Sequence, residues 1–490
     1  MVVFTGGRRV DLDRRQFLKR TGIAGGALAA IAALPGCKTL FPPGYEHGAT
    51  VLDCLAADSP IDTIVIVMME NRSFDHWLGW LGADEGYFES GRSRYGKFFF
   101  IDANNQAVLE GPTGPEPTHH MVGWDLLSNP YRGCDLSDPN HGWNAGRAQR
   151  DLGFLAPSAN DDLLPIGYYE AADLAFTQHF VKRFTTFDDY HCSLLGPTWP
   201  NRHYLHGAQS GGNKSNAFPT EAFAWPLIWE KLAAANVSAK YYYSDLPFPA
   251  VYGARMMPFM APIADYYTDC ANGTLPHVVM IDPAFSGNGQ SDDHPLADVR
   301  NGQAFQRNIF KAFASSSHWE QGVYISTYDE WGGFFDHVAP PHFPDDRANA
   351  VDQDDFSQAG YRVPTVVASP FAHAGMVDRR TYDHASILRF IEWRFLGAPP
   401  EGPGAPGDSW FLTRRDQYAL NLGASLSGSL IDKDLHFDIN LPIDPPSAPC
   451  GTASAGLSVM ARSVLEADDP AFDEAQWNTY LDRVGLKLPA

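Results

Sequence analysis

Short, continuously apolar runs recur along the chain, and they predict the strands of a β-sheet. Residues 63–69 read TIVIVMM, which is the pattern of a strand buried on both faces of a parallel sheet. Similar runs predict further strands at residues 240–243, 278–281, 323–327 and 363–368. We therefore expect a sheet whose central strands are covered on both sides.

Helical periodicity occupies the intervals between these runs. Apolar residues recur at helical spacing in three segments: Phe305, Ile309 and Phe313; Ile387, Leu388, Ile391 and Phe395; and, after a Pro226 suited to a first helical turn, Leu227, Ile228, Trp229 and Leu232. Strands that alternate with helices predict an α/β fold with a doubly wound, mostly parallel sheet. Such folds bind ligands at the carboxyl ends of their strands, so polar residues that directly follow a strand are the first candidates for a site.

Composition and charge narrow the function classes. The 490-residue chain is 44% hydrophobic and 19% charged, which excludes a disordered chain or a coiled coil as the main architecture. Its 58 acidic and 36 basic side chains give a formal net charge of −22. A chain with this net negative charge offers no basic surface to neutralise the phosphates of a nucleic acid. We therefore do not expect it to bind nucleic acids.

The N-terminal segment has the layout of a bacterial export signal. Arg14 and Arg15 precede an apolar, small-residue stretch at residues 21–34, and residues 34–37 read LPGC, the pattern of a lipobox. We expect residues 1–36 to be a twin-arginine lipoprotein signal peptide and Cys37 to be lipidated, which anchors the protein to a membrane in the periplasm or at the cell surface. The alternative is an ordinary signal peptide followed by a chance cysteine.

The remaining chain is predicted to hold one α/β domain with long loop insertions. Residues 37–59 are expected to form a linker, residues 60–400 the main domain, and residues 401–490, where Gly and Pro become frequent, a small C-terminal cap packed on it. Besides Cys37 the chain has five cysteines without CxxC spacing: Cys54, Cys134, Cys192, Cys270 and Cys450. One or two disulfides are expected, with at least one thiol left unpaired.

Two acidic clusters directly follow predicted strands. Glu70 and Asn71 come after the first strand, and their oxygens could bind a hard cation or orient a phosphate; alternatively, Asn71 caps the next helix. Asp329 and Glu330 follow another strand, and a cation would keep two buried carboxylates ionised. Solvated loop acids are the alternative for the second pair.

A threonine and several histidines complete the candidate chemistry. Thr198 lies between prolines in the sequence GPTWPNR, which predicts a rigid turn that presents a hydroxyl, either as a nucleophile or without a chemical role. An acid precedes His141, His294 and His384 by one to three residues and could fix a tautomer or raise basicity, although packing histidines are the alternative. Tryptophans in or beside the motifs could box a quaternary ammonium or belong to the core: Trp143, Trp199 and Trp331.

Four motifs taken in order resemble the bacterial phosphoesterase family of phospholipases C and acid phosphatases. They are MENRSFD at residues 69–75, GPTWPNR at 196–202, SDDHP at 291–295 and YDEWGG at 328–333, and the resemblance covers about residues 60–400. The resemblance implies an alkaline-phosphatase-like fold, with residues 60–400 as the catalytic domain. It also implies one divalent metal ion and a Ser or Thr that attacks phosphorus.

The resemblance assigns roles to individual positions. It implies metal ligands at Glu70, Asn71, Thr198, Asp329 and Glu330. It implies that Thr198 is the nucleophile and that Asn71, His141 and His294 contact the phosphate or serve the leaving group, with His337 and His384 as supporting side chains.

The implied activity is phospholipase C hydrolysis, which cleaves a phospholipid to diacylglycerol and a phosphorylated head group through a phosphothreonine. The alternatives are a broad-specificity periplasmic acid phosphatase acting on small phosphate esters and a lipoprotein that binds phosphorylated ligands without turnover.

Overall fold

A computed structural model describes most of the chain. The described residues are 2–5, 8–11, 50–83, 119–155, 163–287, 289–348, 354–403, 410–450 and 474–488. The predicted twin arginines, the apolar stretch at 21–34 and Cys37 lie outside these ranges. Among the described helices, none combines the length and the apolar character needed to cross a bilayer.

The described strands form one large sheet and two small ones. They are β1 (Val2–Thr5), β2 (Arg8–Asp11), β3 (Thr63–Met69), β4 (His119–His120), β5 (Gly167–Tyr168), β6 (Thr185–Phe187), β7 (Ala239–Tyr243), β8 (Met260–Pro262), β9 (Val278–Asp282), β10 (Gly322–Tyr328), β11 (Thr365–Ala368) and β12 (Val377–Asp378). β1 pairs with β2, and β4 pairs with β5.

Helices surround the large sheet. The described α-helices are Phe74–Leu78, Trp143–Leu152, Thr177–Arg183, Thr198–Gly207, Ile228–Ala234, Ile263–Asn272, Val299–Ala314, His384–Ile391, Arg414–Tyr418 and Glu474–Val484. The longest, Val299–Ala314, buries the predicted face with Ile309 and Phe313. The helix predicted around Ile391 ends there, and Phe395 lies in a π-helical turn, Glu392–Leu396.

The central sheet is mixed but mostly parallel, as predicted. Its strand order is β12-β6-β11-β10-β3-β9-β7-β8. β11 alone runs antiparallel to its neighbours β10 and β6, and all other pairings among the eight described strands are parallel. The run predicted at 363–368 begins two residues later, at Thr365, because Pro364 has no N–H for the ladder.

The register of the two central strands positions the polar clusters. β3 is buried along its whole length and pairs with β10 in parallel from Thr63 with Gly322 to Met69 with Tyr328. Both strands therefore end at the same level of the sheet. Glu70 and Asp329, the residues that follow these strands, therefore lie side by side at the edge formed by the carboxyl ends of the strands.

The C-terminal residues contact the domain at several points. A disulfide joins Cys134 to Cys450 across 316 residues of sequence, and Trp477 packs on Trp199. Cys192 and Cys270 are buried free thiols, so the expected mixture of bonded and free cysteines is found among the described residues.

Candidate active site

Three elements bring the predicted site residues together. Glu70 and Asn71 follow β3, Asp329 follows β10, and Thr198 begins the helix Thr198–Gly207. The Thr198 hydroxyl lies 3.5 Å from Glu70 Oε2 and 3.5 Å from Asn71 Oδ1. The backbone N–H of Asn71 donates to Asp329 Oδ1 over 3.0 Å. Residues far apart in the sequence thus form one cluster of oxygen atoms.

Asn71 has a strained backbone that the neighbouring loop accommodates. Its φ of 58° lies in the left-handed region, which asparagine tolerates better than most residues. A Cβ at Gly332 would lie 2.2 Å from the Asn71 carbonyl oxygen, so only glycine fits there. The following helix is capped by Ser73, whose side chain accepts from the His76 N–H. The alternative in which Asn71 is the cap is therefore wrong.

Thr198 begins a helix and does not lie in the predicted turn. Pro197 has extended backbone at the N-cap, and Pro200 lies in the first helical turn, where it needs no N–H partner. The dipole of this ten-residue helix favours negative charge near its first residue. The Thr198 hydroxyl therefore lies where a developing negative charge is stabilised.

In both Asp329 and Glu70, one carboxylate oxygen accepts hydrogen bonds from neighbouring residues and the other faces the cluster. Asp329 Oδ1 accepts the N–H groups of Asn71 at 3.0 Å and Glu330 at 2.7 Å. Its Oδ2 is buried and accepts no hydrogen bond from the described residues. Glu70 Oε1 accepts from Arg202 Nε at 3.0 Å, which leaves Oε2 facing Thr198.

His141 orients the Asn71 amide. Its Nδ1 lies 2.7 Å from the Pro139 carbonyl oxygen, so this nitrogen carries the proton of the neutral ring. The Asn71 amide nitrogen donates to His141 Nε2 over 3.1 Å, which turns the amide oxygen toward Thr198. Glu330 Oε1 lies 3.5 Å from the same ring nitrogen. Asn71 and His141 therefore act as a pair.

The buried acids lack enough positive charge from the protein. Burial raises the pKa of Glu70, and the Arg202 guanidinium offsets only part of this effect. Burial and the charge of Glu70 raise the pKa of Asp329 to about 7. Carboxylate, amide and hydroxyl oxygens are the donors that a hard divalent cation prefers. The orphaned Asp329 Oδ2 and this donor set fit the implied metal ion, which Glu70, Asn71, Thr198 and Asp329 would hold. Glu330 stays a predicted ligand: its Oε1 lies 3.5 Å from His141 Nε2, and its Oε2 accepts the Gly332 N–H at 2.7 Å.

Arg202 and Asp282 were missed by the sequence analysis. Both are buried, and Arg202 Nη1 donates to Asp282 Oδ1 over 2.7 Å. Asp282 ends β9, which neighbours β3, so the strand-end argument could have found it. Arg202 lies within the GPTWPNR motif, but no spacing rule connects it to carboxylates on other strands.

His294 lies at the edge of the cluster among acids. Its backbone N–H donates to Asp292 Oδ1 over 3.0 Å, and its Nε2 lies 3.6 Å from Asp138 Oδ2. Burial lowers the pKa of His294, but the carboxylates of Asp138, Asp292 and Glu70 outweigh it, and the pKa lies above its ordinary value. The ring of His141 is 6.3 Å away between centroids. The carboxylates around His294 therefore favour its protonated form.

The two supporting histidines differ in position. His384 Nε2 donates to the Asp329 carbonyl oxygen over 2.7 Å, and burial lowers the pKa of His384 to about 4. His337 Nδ1 lies 2.6 Å from Asp75, in a separate buried network in which Arg362 also pairs with Asp75. His384 thus supports a candidate ligand directly, whereas His337 contacts a different carboxylate.

The three tryptophans near the motifs belong to the core. Trp143 is covered by the Arg147 guanidinium at 3.5 Å from its ring centroid. Trp199 packs on Trp477, and Trp331 is fully buried. A cation already occupies the face of Trp143, so these rings do not form a box for a quaternary ammonium.

Asp293 is buried behind the cluster, and burial changes the pKa of its carboxyl group. The Tyr328 hydroxyl donates to Asp293 Oδ2 over 2.7 Å, yet burial raises the pKa of Asp293 to about 8. Its unfolded-state pKa is near 3.8, so the folded protein holds this proton more tightly. The contribution of Asp293 to the free energy of unfolding therefore falls as the pH rises between these two values.

Asp293→Asn removes this titration because an amide stays neutral. We expect the difference in Tm between variant and parent to shift in favour of the variant as the pH rises from about 4 to about 8. Asparagine also suits the left-handed φ of 73° at this position. Thermal melts of both proteins across this pH range check the expectation, and a constant Tm difference would contradict it.

Comparison with known proteins identifies the family of this chain. The Phosphoesterase family model matches residues 61–396. Non-specific phospholipase C4 of Arabidopsis thaliana is 30% identical over 87% of this chain and 80% of its own length. Phospholipase C A of Mycobacterium tuberculosis is 28% identical over 91% of this chain and 93% of its own. Non-hemolytic phospholipase C of Burkholderia pseudomallei is 29% identical over 78% of this chain and 61% of its own.

Solved structures are similar only in part. An alkaline phosphatase superfamily protein from Vibrio parahaemolyticus has a TM-score of 0.28 and 10% identity, covering 55% of this chain and 70% of that one. A phosphonate monoester hydrolase of Agrobacterium radiobacter has a TM-score of 0.29 and 9% identity, covering 68% and 73%. Both TM-scores are below 0.5. On the match of the family model over most of its length, the chain belongs to the Phosphoesterase family and is a hydrolase that acts on phosphoric esters.

Proposed function

We propose that this protein is a metal-dependent hydrolase of the phospholipase C type that cleaves a phospholipid into diacylglycerol and a phosphorylated head group. The observation that carries the proposal is the position of the Thr198 hydroxyl, 3.5 Å from both Glu70 Oε2 and Asn71 Oδ1. The relatives named as phospholipases C support the choice of substrate class.

A divalent cation, when bound, supplies positive charge that lowers the pKa of the Thr198 hydroxyl and offsets charge on the phosphate. In the first step Thr198 Oγ1, whose proton has passed to solvent, forms a bond to phosphorus as the bond between phosphorus and the diacylglycerol oxygen breaks. His294 gives its proton to that departing oxygen. The product on the protein is a phosphothreonine, and diacylglycerol leaves as the alcohol.

The second step restores the protein. Neutral His294 takes a proton from water as the water oxygen bonds to phosphorus, and the bond between phosphorus and Thr198 Oγ1 breaks. Thr198 Oγ1 is left ionised for the next cycle, His294 is protonated again, and the phosphorylated head group leaves. His141 keeps the Asn71 amide in place through the 3.1 Å hydrogen bond during both steps.

Asp138→Asn tests the role of His294 as the acid. The Asp138 carboxylate is the strongest of the charges that raise the pKa of His294. Its loss lowers that pKa, so the protonated form needed for the first step disappears at lower pH. We expect the alkaline limb of the kcat profile to move to lower pH. Asp125→Asn, which removes an exposed carboxylate from the same segment, serves as the matched control. An unchanged profile in Asp138→Asn would exclude His294 as the acid.

Paired assays test the function as a whole. The substrates are a chromogenic phosphorylcholine diester and a chromogenic phosphate monoester, each with and without a chelator. Diester turnover that the chelator removes supports the proposal. Turnover of the monoester alone would indicate an acid phosphatase, and no turnover of either would indicate a protein that only binds phosphorylated ligands.

The membrane anchor is a proposal from the sequence. The LPGC pattern at residues 34–37 and the preceding twin arginines support export and lipidation at Cys37. Such an anchor would hold the site near its lipid substrate. Metabolic labelling with a radioactive fatty acid tests it: the parent protein should be labelled and Cys37→Ala should not, and an unlabelled parent would contradict the proposal.

A further inference from the structure

The guanidinium of Arg202 lies inside the cluster of candidate metal ligands. It is buried, and its Nε lies 3.0 Å from Glu70 Oε1 and 3.4 Å from Asp329 Oδ2. Its Nη2 lies 2.8 Å from the same Glu70 oxygen. One side chain on the helix Thr198–Gly207 therefore contacts acids that leave two different strands of the sheet.

Arg202 binds one carboxylate oxygen of Glu70 and leaves the other to face Thr198. Because Oε1 accepts the Nε–H of the guanidinium and pairs with Nη2 at 2.8 Å, the carboxylate is held in one orientation and Oε2 faces the Thr198 hydroxyl. Asp329 Oδ2 is attracted toward the same guanidinium at 3.4 Å but accepts no hydrogen bond from the described residues. That oxygen keeps its lone pairs for another partner.

The guanidinium is itself held in place. Nη1 donates to Asp282 Oδ1 over 2.7 Å, and Tyr241 donates to the other oxygen of Asp282. Nη2 also reaches the Met68 carbonyl oxygen at 3.3 Å, at the end of β3. A lysine has the charge of arginine but cannot reproduce this planar fork of donors.

We propose that Arg202 is a positioning residue that orients Glu70 and Asp329 so that one oxygen of each faces the divalent cation of the proposed enzyme. The inference rests on the proposed function for the identity of the ligands. It adds a role for a residue that touches neither the nucleophile nor the substrate phosphate in the proposed steps.

Charge and geometry predict opposite results, which makes the proposal testable. If Arg202 contributed only positive charge, its loss would strengthen cation binding, and a lysine would leave binding unchanged. If it positions the ligands, both Arg202→Lys and Arg202→Met weaken binding. We expect Arg202→Lys to weaken Mn²⁺ binding by at least about tenfold, as for other groups that orient metal ligands.

The measurement is calorimetric titration of chelator-treated protein with Mn²⁺, with circular dichroism to confirm folding. Arg415→Lys is the matched control, because Arg415 is equally buried and bridges Asp345 and Asp383. We expect Arg415→Lys to bind Mn²⁺ within about twofold of the parent, since separate networks add independently.

A second variant, Asp282→Asn, tests the proposal if Arg202→Lys does not fold. Asp282→Asn keeps Arg202 and both ligands but weakens the anchor of the guanidinium, so a smaller loss of Mn²⁺ affinity is expected. Unchanged Mn²⁺ affinity in Arg202→Lys, or in Asp282→Asn if the first variant cannot be purified folded, overturns the proposal. Failure of the diester assay would refute the phospholipase activity without altering these affinities.

Discussion

Thr198→Val abolishes turnover and leaves the fold intact. Valine has the shape of threonine without the hydroxyl, so the attack on phosphorus has no nucleophile, and we expect kcat to fall by about 10⁴-fold or more. The lost hydrogen bonds to Glu70 and Asn71 are long, at 3.5 Å each. Their loss should cost about 1 kcal/mol or less in the free energy of unfolding. Steady-state rates with the chromogenic diester and thermal melts measure both effects.

Thr198→Ser is the matched control for this variant. Serine keeps the hydroxyl at the start of the helix Thr198–Gly207 and should retain measurable turnover. Retention of the parent rate by Thr198→Val would show that another group attacks phosphorus.

Asp329→Asn separates the charge of the cluster from its shape. The amide keeps the oxygen that accepts from the Asn71 and Glu330 N–H groups but loses the negative charge on the other atom. We expect kcat/KM to fall by about 10³-fold, because the bound cation loses a ligand that no other side chain replaces. We expect Mn²⁺ to raise the Tm of the parent but not that of this variant.

The metal-free form of the same variant responds in the opposite way. Burial raises the pKa of Asp329 to about 7, so the neutral amide avoids the cost of a buried charge. Metal-free Asp329→Asn should therefore melt no lower than the metal-free parent. Asp434→Asn, in an exposed cluster with Asp432 and His436, controls for adventitious metal at the surface. A parent-like response of Asp329→Asn to Mn²⁺ would exclude Asp329 as a ligand.

The sheet was largely predictable because its strands carry a strong local signal. Continuous apolar runs such as residues 63–69 are typical of central strands in a sheet that is covered on both faces. The strand-end argument identified Glu70 and Asp329 as candidate site residues, and the pairing of β3 with β10 shows that they are neighbours. The direction of β11 was not predictable, since apolar runs look alike in parallel and antiparallel strands.

Residues that act through contacts between distant parts of the chain could not be predicted from the sequence. Arg202 could be recognised only once the helix Thr198–Gly207 was placed beside β3 and β9. The disulfide between Cys134 and Cys450 joins positions 316 residues apart, and spacing alone does not determine such a pairing. Prolines beside Thr198 indicated a turn, although they fit equally well at the beginning of a helix.

The central claim is that acids converging from two strands make the Thr198 hydroxyl an attacking group. Acid quenching during turnover of a phosphodiester, followed by mass spectrometry of the peptide that contains Thr198, tests it most directly. The account predicts a phosphate on Thr198 that appears with Mn²⁺ and is absent after chelation. An unmodified Thr198 peptide during rapid turnover, with phosphate on another residue, would contradict it.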